Sequence, residues 1–127
     1  MSGLVIRDAH FPGRAPLDAY GNGGFRFADM SHRGSLLCVP SGIYGWPPRM
    51  VDDITGDALA RILAEATDID VVLLGTGDMP IPLLAEAERA LRAGGVRYDT
   101  MTTGAAVRTY NVMVAEERRV AAALLAV

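Results

Sequence analysis

DVVLLGTG, residues 70–77, has the pattern of a β-strand that ends in a tight turn. Residues 71–74 are apolar without alternation, which is the pattern of a strand covered on both faces. Gly75-Thr76-Gly77 then supplies the small residues that a sharp change of direction favours. Strands covered on both faces occur mainly in parallel sheets, so this segment predicts a central strand of an α/β domain.

A helix is predicted immediately before this strand. Thr55 has the side chain of an N-cap residue, and Asp57 places a carboxylate in the first turn, where the helix dipole favours an anion. The apolar residues that follow recur at helical spacing and form one face, which consists of Leu59, Ile62, Leu63 and Ala66.

The segments after residue 77 predict a βαβαβ unit with a parallel sheet. Helices are expected from Pro82 to Gly94-Gly95 and from Thr102 or Thr103 onward, with a strand at residues 96–100. The alanine-rich tail, residues 118–127, is compatible with a helix or with a third parallel strand. We predict a strand, because an apolar run after a helix needs a covered place and the sheet offers one. Right-handed crossovers would place both helices of this unit on one side of the sheet.

The N-terminal part of the chain predicts a β-rich meander. Residues 1–50 contain 8 of the 14 glycines and five of the seven prolines, set among short apolar or alternating runs. Strands are expected near residues 4–7, 17–20, 24–28 and 35–39, with turns at residues 21–24 and 31–34. The fold class is therefore α/β, with this meander packed near the βαβαβ unit in a single domain over residues 1–127.

Composition excludes several classes of function. Half of the 127 residues are hydrophobic and the net charge is −3, so a broad basic surface for nucleic acid is not expected. The longest apolar run, residues 120–127, is far shorter than the ~20 residues that a membrane-spanning helix needs. The N-terminus lacks the pattern of a secretory signal, and the single cysteine, Cys38, lies in an apolar stretch. These features predict a cytoplasmic protein with a buried, unreactive Cys38.

Two strand-to-helix turns are expected to meet at the carboxyl edge of the sheet, where open α/β sheets bind ligands. One is Gly75-Thr76-Gly77; the other contains Thr102 and Thr103, with Arg108 further along the helix. Backbone N–H groups, hydroxyls and a guanidinium would suit an anion. The alternative, which we favour, is that the threonines cap the helix and Arg108 is half of a buried ion pair, while Thr109-Tyr110-Asn111 ties the helix to the meander.

No cofactor or metal is predicted. Gly75-Thr76-Gly77 begins like a dinucleotide-binding turn, but Asp78 and Pro80 occupy positions that need positive potential and a glycine. His10 and His32 lie in turn-like settings without the spacing of metal ligands, and no nucleophile or paired-acid motif occurs.

Trp46-Pro47-Pro48 is the one conspicuous aromatic motif. The two prolines are stiff and would present the tryptophan to a protein partner. Trp46 would equally serve as a core plug at the end of the meander, which is the interpretation that we favour.

Several segments together resemble a known family. They are GFRF at residues 24–27, GSLLCVP at 34–40, Trp46, LGTG at 74–77, MTTGAAVRTYNV at 101–112 and RRVAAAL at 118–124. In this order they are similar to the domain-of-unknown-function family 498/598, which includes mitochondrial complex I assembly factor 3. The resemblance implies a compact α/β fold with a C-terminal strand and no established enzymatic activity.

Two functions remain open from the sequence. The first is a non-catalytic accessory protein that binds a protein partner during the biogenesis of a respiratory complex or another membrane protein. The second is a small-molecule or anion-binding protein, even an enzyme, whose pocket lies between Gly75-Thr76-Gly77 and the segment from Thr102 to Arg108.

Overall fold

The computed structural model describes residues 11–127, and the strand expected at residues 4–7 lies outside them. Nine strands occur in this range: β1 (Phe11–Pro12), β2 (Ala19–Gly21), β3 (Gly24–Phe27), β4 (Met30–Arg33), β5 (Ser35–Val39), β6 (Gly42–Trp46), β7 (Val71–Gly75), β8 (Tyr98–Met101) and β9 (Val120–Leu124). The α-helices of this range are α1 (Ala60–Ala64), α2 (Ala85–Ala93) and α3 (Thr103–Ala115). Short 3-10 turns span Val51–Asp53, Asp57–Leu59 and Ala66–Asp68.

The main sheet has six strands in the order β1-β6-β5-β9-β7-β8. Both β8 and β9 run parallel to β7, so the predicted βαβαβ unit is confirmed, including the strand at the C-terminal tail. The predicted meander does more than pack nearby, because β5 pairs antiparallel with β9 and joins the N-terminal strands to the same sheet. A second sheet of three strands, in the order β2-β3-β4, completes the mixed α/β domain.

The two helices of the βαβαβ unit lie on opposite faces of the sheet, and the expectation of one shared side is wrong. Leu83, Ala87 and Leu91 around α2 pack with the side chains on one face of β7, such as Leu74. Ala106, Val107, Tyr110 and Met113 of α3 pack with the opposite face, which includes Leu73. The reason is strand order: β8 and β9 flank β7, so the second right-handed crossover runs back in the reverse direction.

The tail strand β9 separates the two layers of core. Its five residues, VAAAL, are all fully buried, and successive side chains enter opposite core clusters. Alanine at three of these positions lets helices and loops approach both faces closely. The apolar tail is therefore an interior strand that needs neighbours on both edges, and β5 and β7 supply them.

The turn expected at residues 31–34 is wrong, because residues 30–33 form strand β4. The chain instead reverses at Ala28-Asp29, where both residues have positive φ angles, 47° and 63°. This is the backbone of a tight hairpin turn, which usually selects Asn or Gly. The sequence Ala28-Asp29 is not typical of this turn type. The sequence pattern therefore predicted the turn at the next polar cluster, residues 31–34.

Two predicted helices also differ in extent. The helix expected from Thr55 is divided into a 3-10 turn, the five-residue α1 and a second 3-10 turn, although Thr55 accepts a long hydrogen bond from the Ala58 amide at 3.4 Å. The helix expected from Pro82 begins at Ala85, because Leu84 is still extended at ψ 149°.

Within residues 11–127, no helix is long and apolar enough to cross a membrane.

Candidate functional site

The two predicted turns do meet at the carboxyl edge of the sheet. β7 and β8 are neighbours, and the chain after each leaves toward a different face. The Thr76 amide donates to the Met101 carbonyl at 2.9 Å, and the Thr103 amide donates to the Gly77 carbonyl at 2.9 Å. The turns are therefore bonded to each other through their backbones.

The side chain of Thr76 holds the loop that follows it. Its hydroxyl lies 2.6 Å from the Met79 carbonyl and 3.2 Å from the Met101 carbonyl, and it accepts a hydrogen bond from the Ile81 amide at 3.0 Å. Thr76 is 3% exposed, so its hydroxyl is committed to the loop rather than presented to solvent.

Thr103 makes the corresponding bridge on the other side. Its fully buried hydroxyl donates to the Leu125 carbonyl at 2.7 Å and accepts from the Gly77 amide at 3.0 Å. The helix start lies directly against β7, since a Cβ placed on Gly75 would be 2.9 Å from the Thr103 Cα. Glycine at position 75 is thus explained by close packing.

The N-terminus of α3 is capped and covered. Thr102 is its N-cap, and its hydroxyl accepts from the Ala105 amide at 3.2 Å, as the capping alternative predicted. The Tyr20 side chain lies over Gly104, so a side chain at position 104 would have to displace the Tyr20 ring. The amides of Gly77, Thr103 and Ala105 all have acceptors within the protein.

Arg108 is exposed, and the interpretation of this residue as half of a buried ion pair is wrong. Within residues 11–127 it makes neither an ion pair nor a hydrogen bond to either turn. The predicted tie between this helix and the meander is confirmed at Asn111 instead. Its amide group exchanges two hydrogen bonds of 2.8 Å with the backbone N–H and C=O of Leu17.

Trp46 is a core residue, as the favoured interpretation stated. It is 6% exposed, and its indole N–H donates to the Ala58 carbonyl at 2.9 Å. Pro48 is buried and Pro47 is exposed. The motif therefore attaches the segment before α1 to the sheet instead of holding a free tryptophan in solvent.

An open groove with a volume of about 1140 Å³ lies beside this motif. One wall comes from the sheet, with Leu37 and residues 44–48; the other comes from residues 53–65, which include α1. We call this feature the α1 groove. Only the Trp46-Pro47-Pro48 wall carries a motif that is conspicuous in the sequence; the opposite wall carries none.

A hydrogen-bonded network fixes one end of the α1 groove. The Glu65 carboxylate accepts from the Ser41 amide at 2.9 Å and from the Ser41 hydroxyl at 2.6 Å. The Tyr44 hydroxyl lies 2.8 Å from the Ser41 oxygen, and the Arg61 guanidinium stacks 4.0 Å above the centre of the Tyr44 ring. The i, i+4 spacing of Arg61 and Glu65, beside buried Ile62, is the signal in the sequence for this polar face.

The buried cysteine is unsuited to nucleophilic chemistry. Burial raises the pKa of the Cys38 thiol to about 12, and the nearby Tyr110 hydroxyl opposes this only in part. Cys38 is fully buried, which confirms the prediction of a buried cysteine.

Within the described part of the chain, no group of three or more His, Cys, Asp or Glu side chains could hold a metal ion.

The fold places this protein among small mixed α/β domains of known structure. A crystal structure from Bartonella henselae, described as an outer membrane protein, is 55% identical with a TM-score of 0.87 and covers 91% of this chain and 98% of its own. An NMR structure from Rhodopseudomonas palustris is 48% identical with a TM-score of 0.80 and covers 93% and 87%. The chain belongs to the DUF498/DUF598 family of proteins of unknown function, whose profile matches residues 17–125.

Curated relatives extend this similarity to eukaryotes. An uncharacterised protein of Rhodobacter capsulatus is 40% identical over 123 residues, which cover 96% of this chain and 93% of that protein. The human NADH dehydrogenase [ubiquinone] 1 alpha subcomplex assembly factor 3 is 28% identical over 109 residues, or 86% of this chain. This match spans only 59% of the length of the human protein.

Proposed function

We propose that this protein is a non-catalytic accessory factor that binds a protein partner during the assembly of a respiratory or other membrane complex. The observation that carries the proposal is the α1 groove, an open cavity of about 1140 Å³ with an aromatic and proline-rich wall. Grooves with fixed aromatic and apolar walls are typical of sites where a partner inserts side chains.

Similarity to the assembly factors supports the class of partner. The related human protein is an assembly factor for NADH dehydrogenase, and the aligned region is nearly the whole of this chain. The Cys38 thiol is buried and its pKa is raised, so this cysteine is not prepared as a nucleophile, which favours binding over chemistry at this residue.

The test is loss of the gene in the native host. We expect deletion to lower NADH:ubiquinone oxidoreductase activity and the amount of assembled complex in membranes, with succinate oxidation as the matched control. A tagged copy should restore both and should co-purify subunits of the affected complex. Unchanged levels of every membrane complex, together with no enriched membrane subunit, would refute the proposed function.

The second candidate is an anion or small-molecule site between Gly75-Thr76-Gly77 and the segment from Thr102 to Arg108. The observation in its favour is that both turns meet at the edge where α/β sheets bind ligands. It has less support than the α1 groove, because the amides of Gly77, Thr103 and Ala105 already have acceptors. Calorimetric titration with phosphate and with nucleotides tests it; saturable heat that Arg108→Ala abolishes would favour this candidate.

We place the proposed activity in the cytoplasm. The support is that the one cysteine, Cys38, is buried and free, so the cysteine content does not call for an oxidising compartment. The description of the related Bartonella structure as an outer membrane protein makes fractionation the direct test. Recovery of the tagged protein in the outer-membrane fraction would contradict this location.

A further inference from the structure

We propose that the α1 groove binds an extended segment of a partner polypeptide that carries apolar side chains next to an arginine or lysine. The inference rests on the proposed function and specifies the chemistry of the partner. It excludes an acidic partner segment and a small metabolite as the occupant of this groove.

The size of the groove favours a polypeptide. Small-molecule pockets usually have volumes of roughly 300–1,000 Å³ and enclose their ligand. The α1 groove has about 1140 Å³ and lies open between the sheet wall and α1. An open cleft of this volume has room for several side chains of an extended segment.

The charge of the groove favours a cation. Its walls carry three carboxylates, Asp53, Asp57 and Glu65, and one guanidinium, Arg61, which gives a net charge of −2. Asp57 is exposed and makes no ion pair within residues 11–127. A basic side chain of the partner would form an ion pair with the Asp57 carboxylate. The surrounding Leu37, Ala60 and Ala64 would contact the apolar side chains next to that basic residue.

The groove walls are fixed before any partner arrives. The Glu65, Ser41 and Tyr44 network holds the aromatic ring on which Arg61 stacks, and the Trp46 indole is held by the Ala58 carbonyl. A preorganised wall lowers the entropic cost of binding and leaves the partner segment as the element that becomes ordered.

The Trp46-Pro47-Pro48 wall also gives the segment a direction. A smaller pocket of about 330 Å³ shares the residues of this wall and includes Arg33 and Arg49. A segment that crosses this wall would meet carboxylates on one side and guanidinium groups on the other. The basic residue of the partner therefore belongs on the side of Asp57.

The experiment is selection from a phage-displayed library of random 12-residue peptides against the purified full chain. We expect enriched peptides to combine apolar residues with Arg or Lys. The strongest is synthesised with a fluorophore, and its Kd is measured by anisotropy for the wild type and for matched variants. No enrichment, or enrichment of acidic peptides, would overturn the inference.

Two pairs of variants locate the peptide. Ala64→Trp fills the groove at the last residue of α1 and should raise the Kd at least about tenfold, as expected for loss of a central contact. Ala93→Trp, at the exposed last residue of α2 and outside the groove, is the control and should leave the Kd within about twofold. Equal Kd values for both variants would place the peptide elsewhere and sink the inference.

Charge exchange at Asp57 tests the cation. Asp57→Arg should weaken the selected peptide by about fivefold or more at low salt and should restore binding when the basic residue of the peptide is replaced by Glu. Glu86→Arg in the first turn of α2 is the control, because it also removes an exposed carboxylate near a helix start. If peptide selection fails while membrane subunits still co-purify, the inference about the groove is refuted and the proposed function is retained. If basic peptides are selected but no membrane subunit co-purifies, the inference about the groove is retained and the proposed function is refuted.

Discussion

Thr103→Val tests whether the carboxyl edge of the sheet is a structural joint. Valine keeps the shape of threonine but removes the hydroxyl, which lies 2.7 Å from the Leu125 carbonyl and 3.0 Å from the Gly77 amide. Each hydrogen bond contributes about 1 kcal/mol, and each partner left unsatisfied in the interior costs about 1–3 kcal/mol. We therefore expect a loss of about 2–4 kcal/mol in the free energy of unfolding, which at this chain length lowers the melting temperature by roughly 8–16 °C.

The assay is thermal and urea unfolding followed by circular dichroism, with Thr103→Ser as the matched control. Serine keeps the hydroxyl and loses one buried methyl group, so its cost should be about 1 kcal/mol. The order of the two variants is the decisive result. A valine variant that melts within about 2 °C of the wild type and above the serine variant would refute the structural role and reopen this edge as a ligand site.

Four other variants or conditions follow from the structure. Asn111→Ala should cost about 2 kcal/mol in urea unfolding, because it removes both hydrogen bonds of the amide that joins α3 to the N-terminal segment. Arg108→Ala should melt within about 2 °C of the wild type, because the side chain is exposed and has no ionic partner in residues 11–127; a large loss would expose a missed contact. The pKa of Cys38 is raised from 9.0 to about 12 on folding, so its protonated form is favoured in the native state and stability is lost as pH rises above the unfolded value. The Cys38 contribution to the free energy of unfolding should fall by about 1 kcal/mol between pH 9 and pH 10, so the pH dependence over this range should be clearly smaller in Cys38→Ala than in the wild type. Gly75→Ala should cost about 1–3 kcal/mol because the new methyl meets the α3 backbone, whereas Gly56→Ala, with nothing within 4 Å, should be neutral or slightly stabilising in the same melt.

The parts of the fold that the sequence predicted correctly depend on local patterns. The continuous apolar run at β7 indicated a strand covered on both faces, and the apolar runs at β5 and β9 indicated strands; all three lie inside the sheet. Thr102 preceded an apolar helical pattern and is the N-cap. In each case the signal, an apolar run or a capping residue before a helical pattern, is contained within a few consecutive residues.

The errors arose where the outcome depends on distant pairing. Whether α2 and α3 share a face depends on which side of β7 the last strand joins, and that is decided by the pairing of β9 with β5. Arg108 was assigned an ionic partner from its position on α3 alone, although exposure of a helical residue depends on what packs over it. The α1 groove was missed for the same reason, since its two walls are separated in sequence and only one carried a conspicuous motif.

The residues after β9 help to close the carboxyl edge of the sheet, where the sequence predicted a candidate ligand site. Reversal of the crossover direction at β7 brings α3 back across the sheet, so the helix start passes directly over Gly75. Leu125 then continues past the end of β9; its amide donates to the Gly75 carbonyl at 2.9 Å, and its carbonyl accepts from the Thr103 hydroxyl. A ligand at this edge would have to replace these bonds as well as those between Gly77 and Thr103. The α1 groove requires no such replacement, because its polar groups are held by one another at one end and its opening faces solvent, and this difference is why we propose the groove as the site of partner binding.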